Sequence, residues 1–348
     1  MKIAILNTQV PFVRGGAEIL ADGLLDKLRL HGHQAEIVRM PFKWYPSRTL
    51  QDHIFATRLL DLTESCGDAI DLVIPLKFPM YHVRHPRKVA WMLHQHRQAY
   101  DLWDSPWCDL RSWPDGAAVR RTIIDTDNAC LDECRAIYTL SQTVSDRLLR
   151  YNQRASIPVY HPPQGEGDFS CKDYGDFFYF PSRLNGSKRQ ALVLQALAKC
   201  AADVRIIFSG PADSDGERDE FIRLAKELDV TDRMEYLGPI SRELMVELYA
   251  TCRAVIFPPL DEDYGYITLE GMLSSKAVVT CHDSGGPLEF IRDGIEGLVS
   301  KPTADDLAAC LNRLVADRPL CEQLGIQSRQ RYVDLNISWE SLVSMVTA

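Results

Sequence analysis

The chain has 348 residues, enough for two α/β domains with a core each; 46% hydrophobic and 25% charged residues exclude a disordered chain. No apolar run nears the ~20 residues that cross a bilayer, so the chain reads as soluble, or at most peripheral to a membrane. Of the net charge of −9, residues 1–164 hold 20 Lys and Arg against 18 Asp and Glu and the remainder 19 against 30, which argues against nucleic acid as a partner.

Short apolar runs alternate with helix-length amphipathic segments, the pattern of βα units and parallel sheets. Met1 to Leu6 reads as a buried strand, with no basic segment leading into a secretory apolar stretch. The first-half strands are Lys2–Leu6, Ala35–Val38, Asp71–Pro75, Lys88–His94 and Ala136–Leu140. A helix from Ala17 to Leu30 places Ile19, Leu20, Leu24 and Leu28 on one face. Ser141 is placed as the cap of the next helix. The basic run Tyr81–Lys88 reads as a solvated loop, with contact to lipid phosphate as the alternative. Tyr100, Trp103, Trp107 and Trp113 either stack on sugars, meet a membrane interface or pin a long loop to the core.

Two prolines and two glycines in 161–167 break the pattern and mark a linker. Strands then resume at Phe177–Phe180, Val204–Phe208, Met234–Leu237, Ala254–Phe257, Ala277–Thr280 and Gly297–Val299, with helices such as Arg189–Cys200 and Asp219–Leu228 between them. The expected domains are 1–164 and 165–332, with a final helix at 333–348 returning to the first. Ten cysteines are scattered singly. Cys130 and Cys134 lack companions at zinc spacing, so all are read as small buried hydrophobes in a reducing cytoplasm.

The richest stretch runs from Phe257 to Glu270, from a strand end through Pro258-Pro259 and Gly265 into a helix. Ligands of α/β proteins bind at such strand ends, where the free amides and dipole of a helix favour phosphate. Glu262 and Glu270 bracket the turn. Arg183 and Lys188 supply a forked donor and a point charge, each suited to a diphosphate. Ser284-Gly285-Gly286-Pro287-Leu288-Glu289 follows downstream, Gly15-Gly16-Ala17-Glu18 stands near the N-terminus, and His94 ends a strand. His96, two residues on, reads as an ordinary loop histidine. The first strand is followed by Asn7-Thr8-Gln9-Val10-Pro11 and not by G-x-G-x-x-G, which argues against a nicotinamide dinucleotide enzyme.

Taken in order, these segments resemble glycosyltransferase family 4: its E-x7-E motif, its S-G-G-P-x-E turn, its G-R-L…K pair and its glycine-rich first loop. The resemblance implies a GT-B fold, two Rossmann-like domains with parallel sheets facing across a cleft. It implies a retaining glycosyltransferase that moves a sugar from a UDP- or GDP-sugar to a hydroxyl, with no cofactor and no metal. In such an enzyme His94, Glu262, Arg183 and Lys188 are catalytic. Gly15, Gly16, Tyr264, Gly265, Tyr266, Ile267 and Glu270 join Arg183, Lys188 and Glu262 in holding the donor. The expected setting is bacterial cell-surface glycan assembly in the cytoplasm, with a glycan or lipid-linked glycan acceptor and peripheral contact with the inner membrane. A nucleotide-sugar 2-epimerase of the same fold and a non-catalytic carbohydrate-binding scaffold are the alternatives. Two positions depart from the family: Arg189 stands where Gly is frequent, and Asp263-Tyr264 stand where smaller residues or phenylalanine are common.

Overall fold

A computed structural model describes all residues 1–348, which divide into one compact unit of 1–164 with 338–348 and another of 165–337.

Unit 1 runs β1 (Lys2–Gln9), α1 (Gly16–Leu30), β2 (Gln34–Pro41), α2 (Ser47–Leu59), a small antiparallel hairpin of β3 (Glu64–Ser65) and β4 (Asp68–Ala69), and β5 (Leu72–Pro75). It continues with β6 (Val89–Met92), α3 (Asp109–Ser112), α4 (Gly116–Leu131), β7 (Ala136–Thr139), α5 (Gln142–Asn152) and β8 (Ile157–Pro158). Two parallel ladders, β2-β1-β5 and β6-β7-β8, are stitched by isolated bridges at Val73–Lys88 and Lys77–His94. β1 is buried continuously from Ile3 to Thr8, as a central parallel strand covered on both faces must be. On α1 the buried face is Leu20, Ala21, Leu24 and Leu28, while Ile19 is exposed. Ser141 caps α5 through a hydrogen bond that its Oγ accepts from the Val144 amide at 3.1 Å.

The reading of 81–88 as a solvated loop does not hold. Tyr81, His82, Val83 and Lys88 are buried, and Lys88 Nζ donates to the carbonyls of Tyr81, Val83 and Cys130 at 2.9–3.1 Å and to Glu133. A buried ammonium is tolerable because these acceptors replace its water. The aromatic run is likewise mainly core: Tyr100 is buried with its hydroxyl on Asp127, and Trp103 and Trp113 are partly buried against the same cluster. Only Trp107 of the four is exposed. The first part of the expected linker is also packed, since His161 lies 5.2 Å from the rings of both Trp91 and Trp339.

Unit 2 runs β9 (Phe177–Pro181), α6 (Gln190–Leu197), β10 (Arg205–Ser209), α7 (Asp215–Glu227), β11 (Met234–Tyr236), α8 (Arg242–Thr251) and β12 (Ala254–Ile256). Then come α9 (Tyr266–Leu273), β13 (Ala277–Cys281), α10 (Pro287–Phe290), β14 (Gly297–Ser300), α11 (Ala304–Ala316) and α12 (Arg318–Asp334). Its six strands are all parallel, in the order β11-β10-β9-β12-β13-β14. From β9 the chain winds outward one way and from β12 the other, so the topological switch point lies between these two strands. Residues 333 and 334 complete α12, and the returning helix, α13 (Trp339–Thr347), begins after a break with Ser338 as its cap. Trp339 of α13 packs so close to Gly23 of α1 that a Cβ there would sit 3.1 Å from the indole. No helix is long and apolar enough to cross a membrane.

Candidate functional site

The switch point of unit 2 gathers the expected cations and acids. After β9 the chain turns through Gly186–Lys188, where the Asn185 side chain accepts from the Ser187 amide at 2.9 Å. That turn aims Lys188 at Glu262, with which it forms a largely buried ion pair. The ammonium also lies 5.6 Å from the centre of the Phe257 ring. Arg183 is more exposed and donates to Asp213 at 2.9 Å. An exposed pair of this kind contributes little to stability, so Arg183 can exchange its carboxylate for another anion at small cost.

Glu262 is held by its backbone as well as its side chain. Its amide donates to the Ser284 carbonyl at 2.9 Å, and its own carbonyl accepts from the Gly286 amide at 2.8 Å. The two loops meet so closely that a Cβ at Gly286 would sit 2.5 Å from the Tyr264 carbonyl oxygen, a distance no side chain tolerates. The S-G-G-P turn therefore fits the glutamate loop because it has no side chain to insert. Gly265 caps α9 at φ +87°, a conformation natural to glycine. Helix α9 thus starts at the strand edge, where its Thr268 amide donates to the Gly265 carbonyl at 2.9 Å.

Two members of the expected donor set are placed differently from a simple ligand. Tyr264 is buried and packs edge-on to Tyr266 and Phe290, and Ile267 packs against the core. Their side chains serve packing. Glu270 receives the Tyr249 hydroxyl on Oε2 at 2.6 Å, and burial raises its carboxyl above the ordinary range.

Gly15, Gly16 and His94 belong to unit 1 and share the carboxyl-terminal edge of its strands. The Gly15 amide donates to Glu18 Oε2 at 2.8 Å, and Glu18 Oε1 accepts from Lys77 at 3.2 Å. Lys77 is the bridge partner of His94, whose Nδ1 lies 2.6 Å from the Gln95 carbonyl. His96 is half-buried beside Phe42 and Phe78 with its Nε2 inaccessible, and burial lowers its pKa to about 4.

Sequence reasoning missed Asp213, Asp283, Tyr249 and Lys77. Asp283 adjoins the S-G-G-P turn and Arg189 departs from the family pattern, so both carried a signal. Tyr249 carried none, because it meets Glu270 from another helix, 21 residues away in sequence. No three His, Cys, Asp or Glu side chains converge as metal ligands, and all ten cysteines are free; Cys66 and Cys171 are exposed, not buried as expected.

Residues 171–331, within unit 2, match the family described as Glycosyl transferases group 1. Alpha-1,3/1,6-mannosyltransferase ALG2 of Dictyostelium discoideum is 31% identical over 138 residues, 38% of this chain and 32% of that protein. The chain thus spans about a third of that relative's length. Among solved structures, sucrose-phosphate synthase from Thermosynechococcus elongatus superposes with a TM-score of 0.79 at 17% identity, covering 99% of this chain and 97% of that one. Anabaena HepE in complex with UDP and glucose gives 0.71 at 18% identity, covering 99% and 98%. The chain has the GT-B fold, and its residues 171–331 match the Glycosyl transferases group 1 family.

Proposed function

We propose that the chain is a retaining glycosyltransferase that moves a sugar from a UDP- or GDP-sugar to a hydroxyl acceptor. The observation that carries this reading is the Lys188–Glu262 ion pair at the switch point of unit 2, with Arg183 on the same strand–helix turn. When a nucleotide sugar reacts, the bond from the anomeric carbon to the β-phosphate breaks and negative charge grows on the phosphate. Cations fixed beside that oxygen stabilise the transition state more than the ground state. Lys188 is such a fixed cation, and Arg183 can leave Asp213 to fork onto the diphosphate. Glu262 then accepts from a sugar hydroxyl and Glu270 from the ribose, while the first amides of α9 meet phosphate. In this reading Arg183 and Lys188 carry the charge without a metal.

Retention follows if the acceptor attacks on the face the phosphate leaves from, its proton passing to the departing β-phosphate oxygen. HepE was solved in complex with UDP and glucose, which supports a uridine nucleotide sugar as the first donor to try. The acceptor is a glycan or lipid-linked glycan of bacterial cell-surface assembly, met in the cytoplasm with peripheral contact to the inner membrane.

A panel of UDP- and GDP-sugars tests the reading. One donor should raise the melting temperature, because binding to the folded state stabilises it. The same donor should be turned over, and NMR of the product should show the donor's anomeric configuration kept. Inversion would remove the retaining mechanism, and a chain that neither binds nor consumes any nucleotide sugar would remove the function.

A further inference from the structure

Arg189, the residue after Lys188, sits at φ +62°, where a side chain strains the backbone and glycine does not. The fold holds it there through Asp283. Its two terminal nitrogens donate to the two carboxylate oxygens at 2.7 and 2.6 Å, a planar fork on a planar acceptor. Both side chains are mostly shielded, with 18% and 29% of their surface exposed. Burial pulls the Asp283 carboxyl upward, yet the Arg189 guanidinium outweighs it and the group ends below its ordinary value.

The fork joins the loops after two strands that flank a third. Arg189 follows β9 and Asp283 follows β13, with β12 between them. The loop after β12 carries Glu262 and is suspended from both sides. The Leu260 amide donates to the Ser187 carbonyl at 2.8 Å; those of Asp261 and Glu262 donate to Asp283 and Ser284 at 2.9 Å each. If the β9 turn and the β13 loop drift apart, the loop between them has to follow one or the other. Lys188 and Glu262 would then separate, because each is anchored on a different side.

We propose that Arg189 is a positioning residue, which with Asp283 braces the two flanking loops and so fixes the approach of Lys188 to Glu262. The proposal rests on the reading of Lys188 and Glu262 as donor ligands. It accounts for a strained arginine where glycine would fit without strain: the chain gains a clamp that glycine cannot supply. Lysine could not replace it, since an ammonium offers a point contact and no fork.

The test uses the full chain with Arg189→Gly, Arg189→Lys, Asp283→Asn and the double variant Arg189→Gly/Asp283→Asn. Each single variant should lower kcat by roughly 10-fold to 10²-fold, the range expected when reacting groups are misplaced by about an ångström. KM for the donor should change much less. Arg189→Gly should keep the wild-type melting temperature, because relief of backbone strain offsets loss of the pair. The double variant should be no worse than the worse single one, since both break one interaction. Amide exchange at Leu260, Asp261 and Glu262 should quicken in the variants even where no donor is present.

Three results would overturn the proposal. One is wild-type kcat in Arg189→Gly. Another is additive losses in the double variant. The third is opposite effects of Arg189→Gly and Asp283→Asn on donor affinity, which would mean that the guanidinium binds donor itself. If the wild-type chain uses no nucleotide sugar, the functional reading fails; the brace is then judged by amide exchange, and unchanged exchange sinks it separately.

Discussion

Tyr249 on α8 donates its hydroxyl to Glu270 Oε2 on α9 at 2.6 Å, and its ring is wedged edge-on between Phe169 and Tyr179. Burial holds the Tyr249 pKa far above the ordinary tyrosine value, so this phenol is always a donor and never a base. One oxygen of Glu270 is therefore committed, and the other is left to define what the carboxylate offers a ligand.

That arrangement predicts a pH dependence for donor binding. Burial raises the Glu270 pKa, while the Tyr249 bond and the charge of Arg242 oppose the rise. A carboxylate that accepts from ribose loses that ability on protonation, so donor affinity should fall on acidification, beginning above the usual carboxylate range. Tyr249→Phe removes a group that lowers the pKa and should move the fall to higher pH. Glu270→Gln should flatten it. Calorimetric titration of nucleoside diphosphate across pH checks both, and a wild-type profile flat from neutral to acid would separate Glu270 from the donor.

Loss of either diphosphate cation should be expensive in rate. Arg183→Ala and Lys188→Ala are each expected to reduce turnover by about 10²-fold or more, as for other groups that stabilise a leaving anion. Lys188→Ala also strands Glu262 without its partner, so its melting temperature should drop further than that of Arg183→Ala, whose pair is exposed. Chelators should leave the wild-type rate unchanged. Steady-state kinetics with and without a chelator, beside thermal melts, separate these effects.

Gly286→Ala is a steric probe of the same loop. The added methyl would sit 2.5 Å from the Tyr264 carbonyl, so the 262–264 segment or the 284–287 turn has to move. The variant should lose about 1–3 kcal/mol of stability, in the range of an overpacked site, together with most donor affinity. Denaturant melts and binding of nucleoside diphosphate report the two losses. A variant as stable and as tightly binding as wild type would mean that the contact is looser than drawn.

Acid should unfold the protein through histidines that the fold keeps neutral. Burial lowers the pKa of His96 to about 4 and of His161 to about 3, against 6.5 for the free group. The unfolded chain binds these protons first as pH falls below 6.5, so stability declines from there and keeps declining to about pH 4 for His96 and about pH 3 for His161. Each contributes a slope of about 1.4 kcal/mol per pH unit at most. His96→Phe, which matches the aromatic surroundings of Phe42 and Phe78, should make the stability–pH curve shallower between pH 6.5 and 4. Chemical denaturation at several pH values measures that slope.

The strands were readable because a parallel sheet covered on both faces needs unbroken apolar runs, and Ile3–Leu6 or Val278–Val279 can hardly be anything else. The E-x7-E stretch and the S-G-G-P turn were readable for a related reason: prolines and glycines there are tied to one backbone path. Burial of charge was not readable. Lys88 looks like part of a basic surface run until the carbonyls of Tyr81, Val83 and Cys130 are seen to surround it. The same holds for Tyr249 and Asp213, whose partners lie 21 and 30 residues away, at separations no helix or strand period links. That the Tyr264 ring lies in the interior, packed edge-on to Tyr266 and Phe290, was likewise not readable from its loop.

The returning helix α13 has a consequence for how the molecule is made. Its Trp339 closes over Gly23, Trp91 and His161, yet it is joined to the chain after every residue of unit 2. On a ribosome, residues 165–337 all emerge before that strip does, so the second unit can complete its core while the first still shows an uncovered patch around Gly23 and Trp91. The unit begun first is thus the one finished last. Until it is finished, that patch is where a chaperone, or a misdirected neighbour, would find the nascent protein.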